Sequence, residues 1–408
     1  MNIQKQILSK SNLASYRIDI FESNCKVSSD HWNGVLKGQN IYLDLNYLNA
    51  LEKSLPNYDF RYLLFFDANN SVVGLCYFQL LYFTDNDINF EALSEKMRGM
   101  LPYSFKKWIS TRLLICGNAF ATGENGFLFS DKISKDDKVY LINNAIKKIV
   151  DQESTSNRPI SISLIKEFWP YNFSMSKEFT CCKYHEVNID VNMVLNLDSS
   201  WHSFDDYLMA LNSKFRTKYK QVFKKSKELE IIDFDNNTVE DRLSEIDKLY
   251  HNMVNKSSFT FGRLNAKTFK ELYNELRDSF YFKGYLIDNK LIGFATATVQ
   301  NNTLDGNYIG IDDQFNKEYS VYQRILYDFI AFAIDNNLSN VNLGRTAEEI
   351  KSGVGALPVE MKFYAKHNNY FKNSILKPFL NLLKPSKFNL RRPFKADQLN
   401  KKSLAKGF

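Results

Sequence analysis

Residues 212–227, NSKFRTKYKQVFKKSK, hold seven Lys or Arg and no Asp or Glu. Arg216, Lys220, Lys224 and Lys227 recur at four-, four- and three-residue spacing, which puts them on one stripe of a helix. Phe215, Tyr219, Val222 and Phe223 fall largely on other faces. Like charges this close repel, and a phosphate, a diphosphate or a nucleic-acid backbone would compensate them. The alternative is a solvated helix face. The end of the chain is more one-sided. From Met361 to Phe408 twelve Lys and Arg stand against Asp397 alone, a net of +11. The same stretch carries Tyr370, Phe371, Ile375, Leu376, Phe379, Leu380, Leu382 and Leu383. A basic amphipathic helix suits an anionic membrane surface or RNA. Because Pro378 and Pro385 interrupt it, a helix docked on the protein itself is an equal reading.

Other chemistries find little footing. The five histidines (His31, His185, His202, His251, His367) show no HxxH or HExxH spacing, so no metal is expected. No GxSxG elbow and no GxxxxGK[ST] loop occurs. The cysteines are Cys25, Cys76, Cys116, Cys181 and Cys182, with no CxxC pair. Cys76 and Cys116 lie in apolar runs and read as buried thiols. The N-terminus lacks an apolar signal region, and no stretch reaches ~18 uncharged apolar residues. The expectation is a cytoplasmic protein without a membrane-spanning helix.

These residues need a scaffold, and the pattern of the chain supplies one twice. Tyr62–Phe83 and Gly284–Gln300 each read as strand, Asp-Asn turn, apolar pair, glycine (Gly74, Gly293) and a longer strand, a β-hairpin signature. After the second hairpin come a strand at Asn307–Ile311, a helix at Val321–Asp335 and a strand at Val341–Leu343. In that helix Ile325, Leu326, Phe329, Ile330 and Ala333 share one face. The first half offers the same order, with a strand at Arg112–Cys116, a helix at Val139–Val150 and a strand at Pro159–Ile165. An extra helical segment lies near Phe90–Arg98. Helices at Ile41–Ser54, and at Ser244–Val254 and Ala266–Ser279, precede the two hairpins. Duplication or two unrelated hairpin–helix units would each give this order; either way the class is mixed α/β.

Length and composition agree. The 408 residues suggest two or three domains, and 44% apolar with 15% aromatic residues is ample for sizeable cores. Disorder and low-complexity architectures are excluded for most of the chain. The expected division is 1–190, 191–370 and a basic amphipathic tail, 371–408. The total charge of +7 breaks into −4 over residues 1–360 and +11 beyond, so it supports no general DNA-binding role.

Asn342–Pro358, NLGRTAEEIKSGVGALP, together with the preceding YSVYQRILYDFIAFAIDNNLSNV, resembles the region closing the second domain of FemAB-like acyltransferases of the GNAT superfamily. FDDYLMALNSKFRTKYKQVFKKSKELEI resembles the helix opening that domain. IYLDLNYLNALEKS, the first hairpin and LLICGNAFATGENGFLF resemble the first GNAT-like half. The resemblance runs to about Phe371. It implies tandem GNAT-like domains, the second carrying the chemistry, and transfer of an acyl or aminoacyl group to an amine, in the best-known members on a cell-wall precursor. It implies acyl-CoA or aminoacyl-tRNA as donor. Lys351 stands where such proteins carry a lysine that stabilises donor or transition-state charge. Tyr308 lies on the strand lining the cleft. Arg216, Tyr219 and Lys220 fall in the helix contacting a phosphate-bearing ligand, and Arg345 and Gly355 complete the terminal motif.

The chemistry itself needs an oxyanion stabiliser and a proton acceptor. Asp312, Asp313 and Glu348 are carboxylates placed for the second task, with capping or surface roles as the alternative. One departure stands out. The segment IDDQFNKEYSVYQ has no glycine after Gly310, so the Gly-rich diphosphate loop of acetyl-CoA enzymes is missing there. ATGENGF in the first half, with Gly123, Asn125 and Gly126, is the other place to look. A degenerate module that only recognises a phosphate-bearing ligand is the competing function, and contact with an anionic membrane through the tail is a further expectation.

Overall fold

The computed structural model describes residues 16–84, 87, 111–188, 190–257, 260–380 and 388–395. These fall into two compact units. One comprises the described residues up to 188 with 260–263 and 361–380; the other comprises 190–257, 264–360 and 388–395. The helical reading at Phe90–Arg98 lies outside the described residues, as do positions 381–387 and 396–408 of the tail.

The first unit runs β1 (Arg17–Phe21), α1 (Ser29–Leu36), α2 (Leu45–Ser54), β2 (Asp59–Phe66), β3 (Val72–Phe83), β4 (Thr111–Cys116), β5 (Phe127–Phe129), α3 (Lys135–Thr155), β6 (Ile162–Phe168), α4 (Phe173–Ser176) and β7 (His185–Asn188). β2 and β3 are nearly continuous apolar runs because both faces are covered. Their turn is fixed by Asp67, whose Oδ1 accepts the N–H groups of Asn69 and Ser71, both at 2.9 Å. β4 and β6 pair in parallel, joined by α3, whose Val139, Ile142, Ala145, Ile146 and Ile149 join the sheet's core.

The second unit runs β8 (Asn192–Asn196), α5 (Phe204–Ala210), α6 (Ser213–Lys225), β9 (Glu230–Asp233), α7 (Asn236–Asp241), α8 (Leu243–Val254), α9 (Ala266–Leu276), β10 (Phe280–Ile287), β11 (Lys290–Gln300), β12 (Thr303–Ile311), α10 (Asp313–Tyr319), α11 (Val321–Asp335), β13 (Asn340–Asn342), α12 (Glu348–Ser352) and β14 (Leu357–Val359). Its sheet has the order β14-β8-β13-β12-β11-β10-β9. Two-residue turns join β10 to β11 and β11 to β12, with φ of 48° and 61° at Asp288 and Asn289 and of 45° and 63° at Asn301 and Asn302. Short polar side chains tolerate that left-handed backbone, which matches the twist of the strands. α11 buries Ile325, Leu326, Phe329, Ile330 and Ala333, as their spacing requires.

The chain then returns to the first unit as β15 (Lys362–His367) and α13 (Tyr370–Leu380). β15 inserts between β6 and β7, completing the order β1-β2-β3-β4-β6-β15-β7. β8, which follows β7 directly, occupies the equivalent place between β13 and β14. The two repeats have exchanged one strand each. A second domain spanning 191–370 is therefore corrected at its end. Phe363, Tyr364 and Ala365 are buried in the first sheet, and chain order carries no sign of such an exchange. The single 371–408 tail is corrected too: α13 docks in the first unit and 388–395 in the second. Among the described residues no helix is long and apolar enough to cross a membrane, and no cluster of three or more His, Cys, Asp or Glu could hold a metal.

Candidate active site

β12 and β13 pair in parallel only at Thr303–Asp305 with Asn340–Asn342. Beyond Asp305 the two strands part, and β12 continues to Ile311 without its parallel neighbour. A buried polar chain fixes the point of parting. Asn192 Nδ2 donates to Asn342 Oδ1 (2.7 Å), Asn342 Nδ2 to Asp305 Oδ1 (2.9 Å), and Gln300 Nε2 to Asp305 Oδ2 (2.9 Å). On its other edge β12 carries a bulge, with Thr296 opposite Tyr308 and Ala297 opposite Gly306, which leaves Asn307 extra. A cleft of about 220 Å³ opens past the end of β12. Ile311 of β12, Met253 of α8, Lys256 just beyond it, Asp313 and Asn316 of α10, Tyr322 of α11 and Ile350 of α12 are among its walls. Lys256 and Asp313 form an ion pair there.

The segment from β13 into α12 is conformationally costly. Gly344, Thr346 and Ala347 have φ of 71°, 65° and 53°. For the two non-glycine residues this backbone costs on the order of 1–2 kcal/mol each. Lys351 holds the segment in place. Its Nζ donates to the carbonyls of Arg345 (2.6 Å) and Gly344 (3.2 Å), and the side chain is 3% exposed. Burial pushes the ammonium pKa down to about 7; nearby Glu348 acts against the shift and Arg345 with it. Lys351 in this arrangement faces its own loop, and Ala347 and Ile350 of that loop face the cleft.

The remaining residues singled out from sequence divide clearly. Tyr308 lies on the parted strand, where its ring meets Tyr250 and Phe269 and its N–H donates to Thr296 Oγ1 (3.1 Å). Asp312 is the N-cap of α10, accepting the Gln314 N–H at 3.0 Å, and so is committed to the helix. Arg216 donates to the carbonyls of Leu211 (2.6 Å) and Met209 (3.4 Å), closing the end of α5. Tyr219 packs among Phe204, Phe223 and Tyr327, which fixes α6 against α11. Lys220 is exposed, and Arg345 is half-buried on the Lys351 loop. Gly355 has φ of 102°, and a Cβ there would stand 2.3 Å from the Phe394 ring. Its bare Cα lets that ring pack close. The structure thus gathers Lys351 and Arg345 on the one segment running from β13 through α12, with Tyr308 on the strand beside the parting. Arg216, Tyr219 and Gly355 serve as supports. Met253, Lys256, Asn316 and Tyr322 were invisible in sequence because five separate elements contribute to the cleft.

The segment 388–395 braces this site. Arg391 pairs with Glu349 (3.3 Å), its N–H donates to Ser352 Oγ (3.1 Å), and Phe394 packs on Trp201 and Tyr207. Asn212 at the start of α6 donates to the carbonyls of Pro393 (2.8 Å) and Phe394 (3.1 Å). The basic helix and part of the basic tail therefore come together. Arg391 lies near enough to Lys218 that its charge, after burial, lowers the lysine's pKa. Lys214, Arg392 and Lys395 stand exposed around them.

The first unit treats its parallel pair differently. β4 and β6 stay paired from Leu113–Ile162 to Cys116–Ile165, and the loop 117–126 is held against the end of β6. Lys166 Nζ donates to the carbonyls of Asn118 (2.9 Å) and Ala121 (3.0 Å), while Glu167 accepts the Gly123 N–H (3.0 Å). A Cβ on Gly123, whose φ is 100°, would press on Trp169 at 3.1 Å. Gly123 and Gly126 of ATGENGF serve this tight packing.

A family model described as peptidoglycan biosynthesis/recognition, FemAB-like, matches residues 124–385. The chain belongs to the FemAB-like family. Each of its two units is built on one mixed sheet. The solved structure of FemX is similar over 88% of this chain and 99% of its own, at 10% identity and a TM-score of 0.53, which shows a shared fold. L-PGS from Bacillus licheniformis matches over 88% and 98% (7% identity, TM-score 0.47), and a tandem GNAT protein from the clavulanic acid biosynthesis pathway over 86% and 99% (10%, 0.48). No curated protein sequence matches the chain.

Proposed function

We propose that this FemAB-like protein transfers an aminoacyl or acyl group to the amine of a cell-envelope precursor at the cleft of its second unit. The observation that carries the reading is the parting of β12 from β13 above a cleft walled by the Lys351-clamped loop. An amine attacking an ester or thioester carbonyl forms a C–N bond and breaks the C–O or C–S bond. The leaving oxygen or sulfur takes up the proton that nitrogen loses. Backbone along a parted strand edge offers donors for the oxyanion formed on the way. Tyr308 and the cleft walls exclude water from the ester, and Lys351 acts as a positioning residue that holds Ala347 and Ile350 in place.

An aminoacyl ester of tRNA suits the site better than a CoA thioester. A CoA diphosphate at the start of α11 would meet Asp312 and Asp313, and Asn316 already takes the Tyr322 N–H there (2.9 Å). The surface of Lys214, Lys218, Lys220, Arg392 and Lys395 suits a phosphate polymer instead. A donor of that kind places the protein in the cytoplasm. Mass spectrometry of UDP-linked and lipid-linked precursors, after incubation with the full chain and either aminoacyl-tRNA or acyl-CoA, tests the proposal. The expected result is one added aminoacyl residue on the acceptor amine. Precursor binding without any mass increase would contradict it and favour a recognition module.

A further inference from the structure

Among the described residues eight large apolar side chains are strongly exposed, and three of them fall within six residues of α13. Tyr370 is 64%, Phe371 78% and Ile375 61% exposed. The helix is held firmly by its opposite face. Leu376 and Leu380 pack on the cluster containing Leu113, Ile115, Leu164, Val187 and Phe363. Asn373 ties it down at three points: its Oδ1 accepts the His367 N–H (2.9 Å), its Nδ2 donates to the Lys183 carbonyl (3.0 Å), and its own carbonyl bonds His185 Nε2 (2.8 Å). With Asn373, Leu376 and Leu380 inward, the four-residue pairs Tyr370–Ser374 and Phe371–Ile375 must point outward, and Lys372 and Lys377 fall on the two boundaries.

The surroundings are basic. Lys183 Nζ sits 4.8 Å from the Tyr370 ring centre, and Lys366 Nζ 5.0 Å from that of Tyr184. Burial, Lys147 and Lys183 together lower the Lys366 pKa, which shows how closely these lysines gather. No Asp or Glu occurs from Met361 to Leu380. Bulky side chains protruding from an anchored helix, with lysines on both borders, match the boundary of an anionic bilayer. Aromatic and aliphatic tips enter the acyl edge there while ammonium groups meet lipid phosphates.

We propose that the Tyr370–Phe371–Ile375 face of α13, with Lys183, Lys366, Lys372 and Lys377 around it, docks the first unit on an anionic membrane surface. The docking face is thus an ordered, anchored helix rather than the basic end of the chain as a whole. It belongs to the first unit and the transfer site to the second, so it does not depend on the catalytic reading.

Co-sedimentation of the full chain with vesicles tests this. Wild-type protein is expected to bind phosphatidylglycerol-containing vesicles at least tenfold more than pure phosphatidylcholine vesicles, and less as salt rises. Y370S/F371S/I375S should lose at least tenfold of that binding, and K183E/K377E should lose most of it. Both variants should keep the wild-type melting temperature, because the altered side chains are exposed. Absence of wild-type binding, or binding unchanged in Y370S/F371S/I375S, would overturn the proposal. So would sedimentation velocity showing that this triple variant turns a dimer into a monomer, since the face would then join two copies of the chain.

Discussion

Lys351 donates to two backbone carbonyls and reaches no solvent, so its chemistry is that of a clamp whose charge is costly. Its pKa is depressed from the ordinary lysine value to about 7 in the folded protein. The stabilisation linked to its deprotonation is therefore complete above the unfolded-state pKa near 10.5, shrinks as pH falls, and is gone below about 7. Wild-type stability should rise between pH 7 and pH 10 by up to about 1.4 kcal/mol per unit from this group. Lys351→Met, which keeps the stem and removes the amine, should lose that rise in urea unfolding at matched pH values. The same slope in wild type and variant would show that Lys351 is not the buried titrating group. The position of Lys351 was legible through the family resemblance, but the direction of its amine was not, because that depends on the positive φ of Thr346 and Ala347. Arg216 teaches the same lesson. A charge expected to meet a ligand also closes the end of the preceding helix, through a partner only five residues away.

Elements with a strong local signal were readable. The apolar stripe of α11 gave its limits as Val321–Asp335, and the polar residues between β10 and β11 gave the turn. The brace at 388–395 was not readable, since its partners Ala210, Asn212, Glu349 and Ser352 lie some 40 to 185 residues away in sequence. Its anchor is Phe394 seated against Gly355, where a methyl group would collide with the ring and would also require an unfavourable backbone. Gly355→Ala should cost about 2–4 kcal/mol in urea unfolding, and Phe394→Ala about 3–5 kcal/mol. Both should make the chain more sensitive to protease near Arg391. Full stability in Gly355→Ala would mean that Phe394 has room to move aside and that the brace is loose.

On the scale of the whole molecule, the repeated order of hairpin, helix and strand was visible, yet the places of β8 and β15 in the two sheets were not. A strand's sequence states that it must be buried, not which of two similar sheets will bury it. The exchange means that a cut near residue 190 would part β15 from the first sheet, while β8, at Asn192–Asn196, would stay with the second. The repeats also differ in use. Lys166 and Glu167 hold a loop against the end of β6 in the first unit, whereas the parting of β12 and β13 in the second opens on a cleft. The central claim is that this second-unit cleft is the transfer centre, and Met253, half-buried in its wall, is the place to test it. Quantifying acceptor product by mass spectrometry for wild type and Met253→Trp, at equal folded concentration, measures the claim most directly. Filling the cleft should lower kcat/KM at least a hundredfold with little change in melting temperature, whereas transfer at the wild-type rate would place the reaction elsewhere.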